Sequence, residues 1–170
     1  DRSVSRGLGD VYKRQGLYNK ETTEQLTDEL LSEDENKYHA FLILDVDCFK
    51  QINDIYGHAV GDIVLQKFGK LLKGTFREGD ILGRIGGDEF GVIMKNIQTK
   101  DIAMKKAEEL LAKTQAYKID ELKGNNISIS IGISTAPQDG DCYMDLYKRA
   151  DQALYQAKRS GKARVCNYFS

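Results

Sequence analysis

Two short runs place carboxylates where an apolar strand would otherwise continue. In "FLILDVDCFK" (41–50) Asp45 and Asp47 close a hydrophobic stretch; in "GRIGGDEFGVIM" (83–94) Gly86, Gly87, Asp88 and Glu89 interrupt another. Glycine weakens a strand, and a buried carboxylate is costly without a partner. Side chains repeat every two residues along a strand, so Asp45 and Asp47 share a face. If the two strands lie side by side, acids from both meet at one place, and their repulsion calls for a cation. Hard carboxylate oxygens select Mg²⁺ or Mn²⁺, which retain waters and bind phosphates as well. Gly86 and Gly87, lacking side chains, then let a bulky ligand approach the backbone. A solvated surface turn is the plain alternative for Asp88 and Glu89 alone; the second acidic strand end lowers its weight. "DVDCFKQIND" is no calcium loop, because Lys50 stands at the sixth position, where such loops need glycine, and no GxxxxGK[ST] phosphate loop occurs.

Elements able to position these acids can be read from periodicity. "KETTEQLTDELLSE" reads as a helix with Leu26, Leu30 and Leu31 near one face. "AFLILDV" is a short buried strand. "FKQINDIYGHAVGDIVLQKFGKLLKGTF" carries apolar residues at helical spacing, but Gly57 and Gly61 weaken its middle, which predicts a break or tight packing and a longer helix from about Val60. "REGD" is a turn, and "ILGRIGGDEFGVIM" a hairpin folded about its Gly-Gly-Asp-Glu centre. An amphipathic helix over 101–119, a strand stopped by Pro137, a helix closed by Gly161 and a last strand, "RVCNYF", complete the chain. The pattern predicts an α/β (α+β) layer structure, with helices against a sheet.

The 170 residues are 41% hydrophobic and 30% charged, enough for one globular domain with a real core. A net charge of −1 provides no global field toward nucleic acid or membrane, so any anion site must be built locally. No apolar run approaches the roughly 20 residues of a spanning helix. Three scattered cysteines without CxxC fit a reducing cytoplasm, and two histidines exclude a His-rich metal site. Residues 1–15 are polar and basic with no apolar period; they read as a non-native or disordered extension, and the domain as 16–170.

"RIGGDEF" and "DVDCFKQINDIYGHAVGD", with "GLYNK", "SIGIS" and "ADQALYQAKRSGK" in order along the chain, resemble the GGDEF domain of diguanylate cyclases. The resemblance spans residues 16 onward. It implies a ferredoxin-like fold, similar to class III nucleotidyl cyclases and polymerase palms, with a central antiparallel-rich mixed sheet flanked by helices. It implies condensation of two GTP into cyclic di-GMP with release of pyrophosphate, in a homodimer whose domains each hold one GTP. A non-catalytic module that senses GTP or cyclic di-GMP is the other reading.

By the same resemblance Asp45, the Val46 carbonyl, Asp88 and Glu89 would hold Mg²⁺ (or Mn²⁺), and Asp88 and Glu89 would be catalytic, Asp88 helping to deprotonate the 3′-hydroxyl. Asp47 is expected to shape the strand end instead. Phe49 and Lys50 stand where backbone N–H groups cradle phosphates at a helix start. Lys158 and Lys162 match phosphate-neutralising positions, although cations near a helix C-terminus are favourable in any case. Asn53 and Asp62 match the guanine-reading pair, with His58 in the same segment; for His58 a turn-stabilising role has equal weight. Gly86 and Gly87 border the substrate. Arg77 and Asp80 spell the RxxD of an inhibitory product site. "VYKRQ" (11–15) replaces the family's Asp-x-Leu-Thr lead-in, and an upstream sensory or dimerising domain is expected to be missing. A cytoplasmic location follows, with no nucleic-acid partner and no membrane segment in this chain.

Overall fold

The computed structural model describes residues 17–33 and 36–169. The expectation for residues 1–15 lies outside them. The described elements are α1 (Lys20–Glu33), β1 (His39–Val46), α2 (Phe49–Tyr56), α3 (His58–Thr75), β2 (Ile81–Arg84), β3 (Glu89–Met94), α4 (Lys100–Ala116), a 3₁₀ turn (Asp120–Leu122), β4 (Ile129–Ala136), α5 (Tyr143–Arg159) and β5 (Val165–Asn167). They form a five-stranded sheet in the order β2-β3-β1-β4-β5. Pairs β2/β3, β3/β1 and β1/β4 are antiparallel, and β4/β5 is parallel. This is the helix-flanked, antiparallel-rich mixed sheet that the motifs implied.

Strand β1 is central because its apolar residues serve two layers, and every one of its residues is buried. Ala40, Leu42, Leu44 and Val46 face Val64, Phe68 and Leu72 of α3 and Ala103, Ala107 and Leu110 of α4. Phe41 and Ile43 face the other layer, with Leu31 of α1 and Tyr143, Leu146, Ala150 and Leu154 of α5. Asp45 and Asp47 share the parity of Phe41 and Ile43, so both acids belong to the α5 side of the sheet.

Local chemistry fixes the helix starts. The Asn19 side chain accepts the Thr22 N–H at 2.8 Å, capping α1. Asp28 of α1 accepts the Tyr143 N–H at 2.7 Å, so a distant side chain satisfies the first turn of α5. The long helical run of the sequence is broken at Gly57, whose φ of 90° is readily open to glycine. Helix α3 therefore starts at His58, two residues before the expected Val60. Gly61 supplies the tight packing: a Cβ there would lie 1.9 Å from Asn53 Oδ1.

Candidate active site

The β1/β3 register sets Asp45 directly opposite Glu89. Antiparallel partners project to one face, so the two carboxylates meet on the α5 side of the sheet. Asp88, in the loop just before β3, lies close enough to Asp45 for its charge to raise that carboxyl. Two backbone bonds shape that loop: the N–H groups of Ile85 and Gly86 both donate to Glu89 O, at 2.9 and 3.1 Å. The Arg84 guanidinium adds two more to Gly87 O, at 3.1 and 2.6 Å. Gly87 is exposed, and a Cβ there would meet nothing within 4 Å, so the turn keeps open space beside the acids.

Helix α5 closes over the acids with two long side chains. Lys158 Nζ pairs with Asp45 Oδ2. The Tyr147 hydroxyl donates to Glu89 Oε1 at 2.7 Å. Burial is the largest influence on Asp45, pushing it up to about 7 from an ordinary 3.8; Lys158 pulls against that shift and Asp88 adds to it. Burial also raises Glu89, opposed by the Tyr147 hydrogen bond. Burial pulls the Lys158 ammonium down, yet Asp45, with Asp88 and Glu89 beyond it, more than reverses this and holds it above its ordinary value. Asp45 Oδ1 is buried with no hydrogen-bond partner among the described residues. An orphaned carboxylate oxygen beside two further acids fits a hard divalent cation.

The raised Asp45 has a thermodynamic consequence. The folded chain holds this proton more tightly than the unfolded chain, so the stabilisation is complete below about pH 4 and is lost as pH rises through about 7. Glu89 acts in the same direction. In chelator-containing buffer the melting temperature is expected to fall by a few degrees from pH 5 to pH 7.5 through these groups. Asp45→Asn should remove most of that slope relative to wild type; an unchanged slope in scanning calorimetry counts against the buried acid.

Asp47 has a different environment. It accepts Ser128 Oγ–H at 2.6 Å, Ser130 Oγ–H at 2.7 Å and the Ala163 N–H at 3.1 Å. It ties β1 to β4 and to the turn after α5, and so holds the strand end. That turn carries Lys162, whose Nζ lies 3.3 Å from Cys48 Sγ, beside the start of α2. Phe49 and Lys50 open α2, where first-turn N–H groups have no intrahelical acceptor. Asn53 and Asp62 stand on either side of the Gly57 break, the latter exposed. Asn53 Oδ1 is buried and without a partner among the described residues. His58 is exposed at the first position of α3. Arg77 and Asp80 lie in the turn before β2, at the opposite end of that strand from the acidic hairpin.

Sequence reasoning missed Arg84, Tyr147 and the Asp28 cap. Arg84 opens the "RIGGDEF" motif, but nothing in the sequence marks its carbonyl partner, Gly87. Tyr147 reads as one more residue of an amphipathic helix.

Paired carboxylates at the ends of neighbouring antiparallel strands, closed by a lysine from a covering helix, sit on an α+β domain with a five-stranded mixed sheet. The chain belongs to the GGDEF family: the family profile described as "Diguanylate cyclase, GGDEF domain" matches residues 15–164. It is 40% identical over 127 residues to Diguanylate cyclase A of Treponema denticola, covering 74% of this chain and 34% of that protein. The chain thus spans about a third of that relative's length. The crystal structure of the GGDEF domain of TpbB (YfiN) from Pseudomonas aeruginosa superposes with a TM-score of 0.86 at 32% identity, covering 92% of this chain and 99% of that one. The GGDEF domain of DgcB from Caulobacter crescentus, in complex with c-di-GMP, superposes with a TM-score of 0.82 at 25% identity, covering 91% and 90%. Among the described residues, no helix is long and apolar enough to cross a membrane.

Proposed function

We propose that this domain condenses two GTP molecules into cyclic di-GMP with release of two pyrophosphates, one GTP being held by each domain of a homodimer. The observation that carries the reading is the β1/β3 register, which sets Asp45 opposite Glu89 with Asp88 close to Asp45. Asp45, the Val46 carbonyl, Asp88 and Glu89 would hold Mg²⁺ or Mn²⁺. Bound there, such an ion would neutralise triphosphate charge and lower the pKa of the attacking 3′-hydroxyl.

The chain's own groups do the rest. Asp88 borders open space at the turn and accepts the 3′-hydroxyl proton. First-turn N–H groups at Phe49 and Lys50 receive phosphate oxygens. Lys158, paired with Asp45 in the structure, would offer its ammonium to phosphate oxygens, and Lys162 sits beside the same helix start. Asp62 accepts from the N1–H and N2–H₂ edge of guanine, with Asn53 completing the base-reading pair and His58 in the same segment. Gly86 and Gly87 leave room for the nucleotide. Because adenine cannot offer those donors, Asp62→Ala should weaken GTP on the order of 10²-fold or more and ATP little. Equal losses in titrations with both nucleotides would reject base reading.

The chain incubated with GTP and Mg²⁺ should yield a nucleotide that co-elutes with cyclic di-GMP on chromatography. GTP binding with no product, even at high protein concentration, would favour the sensor-module reading. An upstream domain that brings two copies together and a cytoplasmic location complete the proposal.

Product inhibition at Arg77 and Asp80 belongs to the same proposal. Asp80 is buried and already accepts from Arg77 Nη2 at 3.2 Å, the Arg77 N–H at 3.1 Å and the Lys95 N–H at 3.1 Å. Asp80 thus holds the turn, while the Arg77 side chain is 60% exposed and able to meet a guanine edge or phosphate. Asp80→Ala should cost about 3 kcal/mol of stability, because buried donors lose their acceptor. Arg77→Ala should leave the melting temperature nearly unchanged and weaken cyclic di-GMP binding. Unaltered product affinity in the Arg77 variant would exclude this site.

A further inference from the structure

From the α5 side of the site we infer that Tyr147 is a positioning residue for Glu89, fixing the orientation in which that carboxylate meets a divalent ion. The inference rests on the reading of Glu89 as a metal ligand. Its own observation is the 2.7 Å hydrogen bond from the Tyr147 hydroxyl to Glu89 Oε1.

The phenol ring is well placed to direct that bond. It packs on Phe41 of β1, with ring centroids 6.5 Å apart and planes at 59°, and on Tyr143, at 5.9 Å and 31°. Tyr143 is itself held edge-on to Phe41 at 5.4 Å and is 1% exposed. The hydroxyl is therefore carried by a three-ring cluster anchored in the core. Glutamate alone has three side-chain torsions, and its terminal carboxylate rotates broadly. A donor fixed on Oε1 restricts that rotation and leaves Oε2 as the unengaged oxygen. Lys158 reaches Asp45 from the same helix about three turns further on, so α5 contacts both facing acids. Partners that orient metal ligands in this manner commonly alter metal affinity or activity by about 10–100-fold when removed.

The test is Tyr147→Phe, which keeps the ring and deletes the donor. Mn²⁺ affinity is measured by titration calorimetry in the presence of a GTP analogue that cannot turn over. Binding is expected to weaken roughly 10-fold, with the melting temperature within about 2 °C of wild type. Turnover should fall by a similar factor while KM for GTP stays within about twofold, since the phosphate and base contacts are untouched. In a Glu89→Ala background the Tyr147→Phe change should have no further effect on Mn²⁺ affinity, because the coupled partner is gone. A role in packing alone predicts wild-type Mn²⁺ affinity in Tyr147→Phe, and that result overturns the inference, as does full additivity in the double variant. If wild type binds Mn²⁺ but makes no cyclic di-GMP, the proposed reaction fails. A weakened Mn²⁺ affinity in Tyr147→Phe would still support the positioning role.

Discussion

Glu89→Ala is expected to abolish cyclic di-GMP formation, with a loss on the order of 10³-fold or more, while the domain stays folded. Asp88→Ala should do the same. The kinetic loss follows from position: Glu89 stands opposite Asp45 in the β1/β3 register and Asp88 lies beside it in the preceding loop, and an ion held by fewer carboxylates stabilises less of the charge that develops in phosphoryl transfer. A 10³-fold loss corresponds to about 4 kcal/mol of transition-state stabilisation. The stability outcome is the more discriminating part. Asp88 raises Asp45 by repulsion, so removing it relieves an unfavourable term in the metal-free protein. Asp88→Ala should therefore melt at or above the wild-type temperature in chelator, and its pH slope should shrink. A variant that is inactive because it is unfolded would show a lower melting temperature and lost near-ultraviolet dichroism. That outcome would remove the acids from catalysis and return them to structure.

Much of this site was legible in the sequence because strand parity is a strict rule. Acids at the end of β1 and at the start of β3 can share a face only if the strands pair near those ends, and the hairpin motif supplied the second end. The helix boundaries followed from periodicity, with α1 spanning the stretch expected of it and α5 beginning one residue before "MDLYKRAD". Three things were not legible. The break between α2 and α3 is expected near Gly57 and Gly61, but its place depends on Gly57 adopting a positive φ, which spacing alone does not locate. The partners of Asp47 lie on β4 and beyond α5, 81 to 116 residues away, so only tertiary packing could name them. Tyr147 and Glu89 are 58 residues apart, and no local pattern marks a hydroxyl aimed at a carboxylate. The closeness of Asp88 to Asp45 has the same character. The sequence predicts convergence, whereas which acid is buried, and hence which titrates upward, depends on the helix laid over them.

Gly132→Ala is expected to destabilise the domain more than the same change at Gly83 or Gly74. A Cβ at Gly132 would stand 2.1 Å from Ala150 O, 2.4 Å from Leu154 N and 2.9 Å from Leu154 Cα, all backbone atoms of α5. No rotamer change relieves such a clash, so the helix must move off β4. Gly83 offers the contrast, since its Cβ would meet a side chain, Thr23, with Oγ1 at 2.0 Å, and yielding there costs the hydroxyl's bond to Asn19 O rather than the displacement of a helix. Overpacking of this kind costs roughly 3 kcal/mol or more, a melting-temperature drop of about 10 °C in a domain of this size. Gly74→Ala is the control: it lies in α3 with nothing within 4 Å of the new methyl, and should be neutral or slightly stabilising. The site should report the displacement as well. Helix α5 brings Lys158 to Asp45 and Tyr147 to Glu89, so a helix lifted from Gly132 withdraws both from the acids. Metal affinity in Gly132→Ala should therefore fall even at temperatures where the variant is fully folded. A Gly132→Ala protein that melts within about 2 °C of wild type would show that α5 does not approach β4 this closely. The packing that carries Lys158 and Tyr147 into the site would then have to be different.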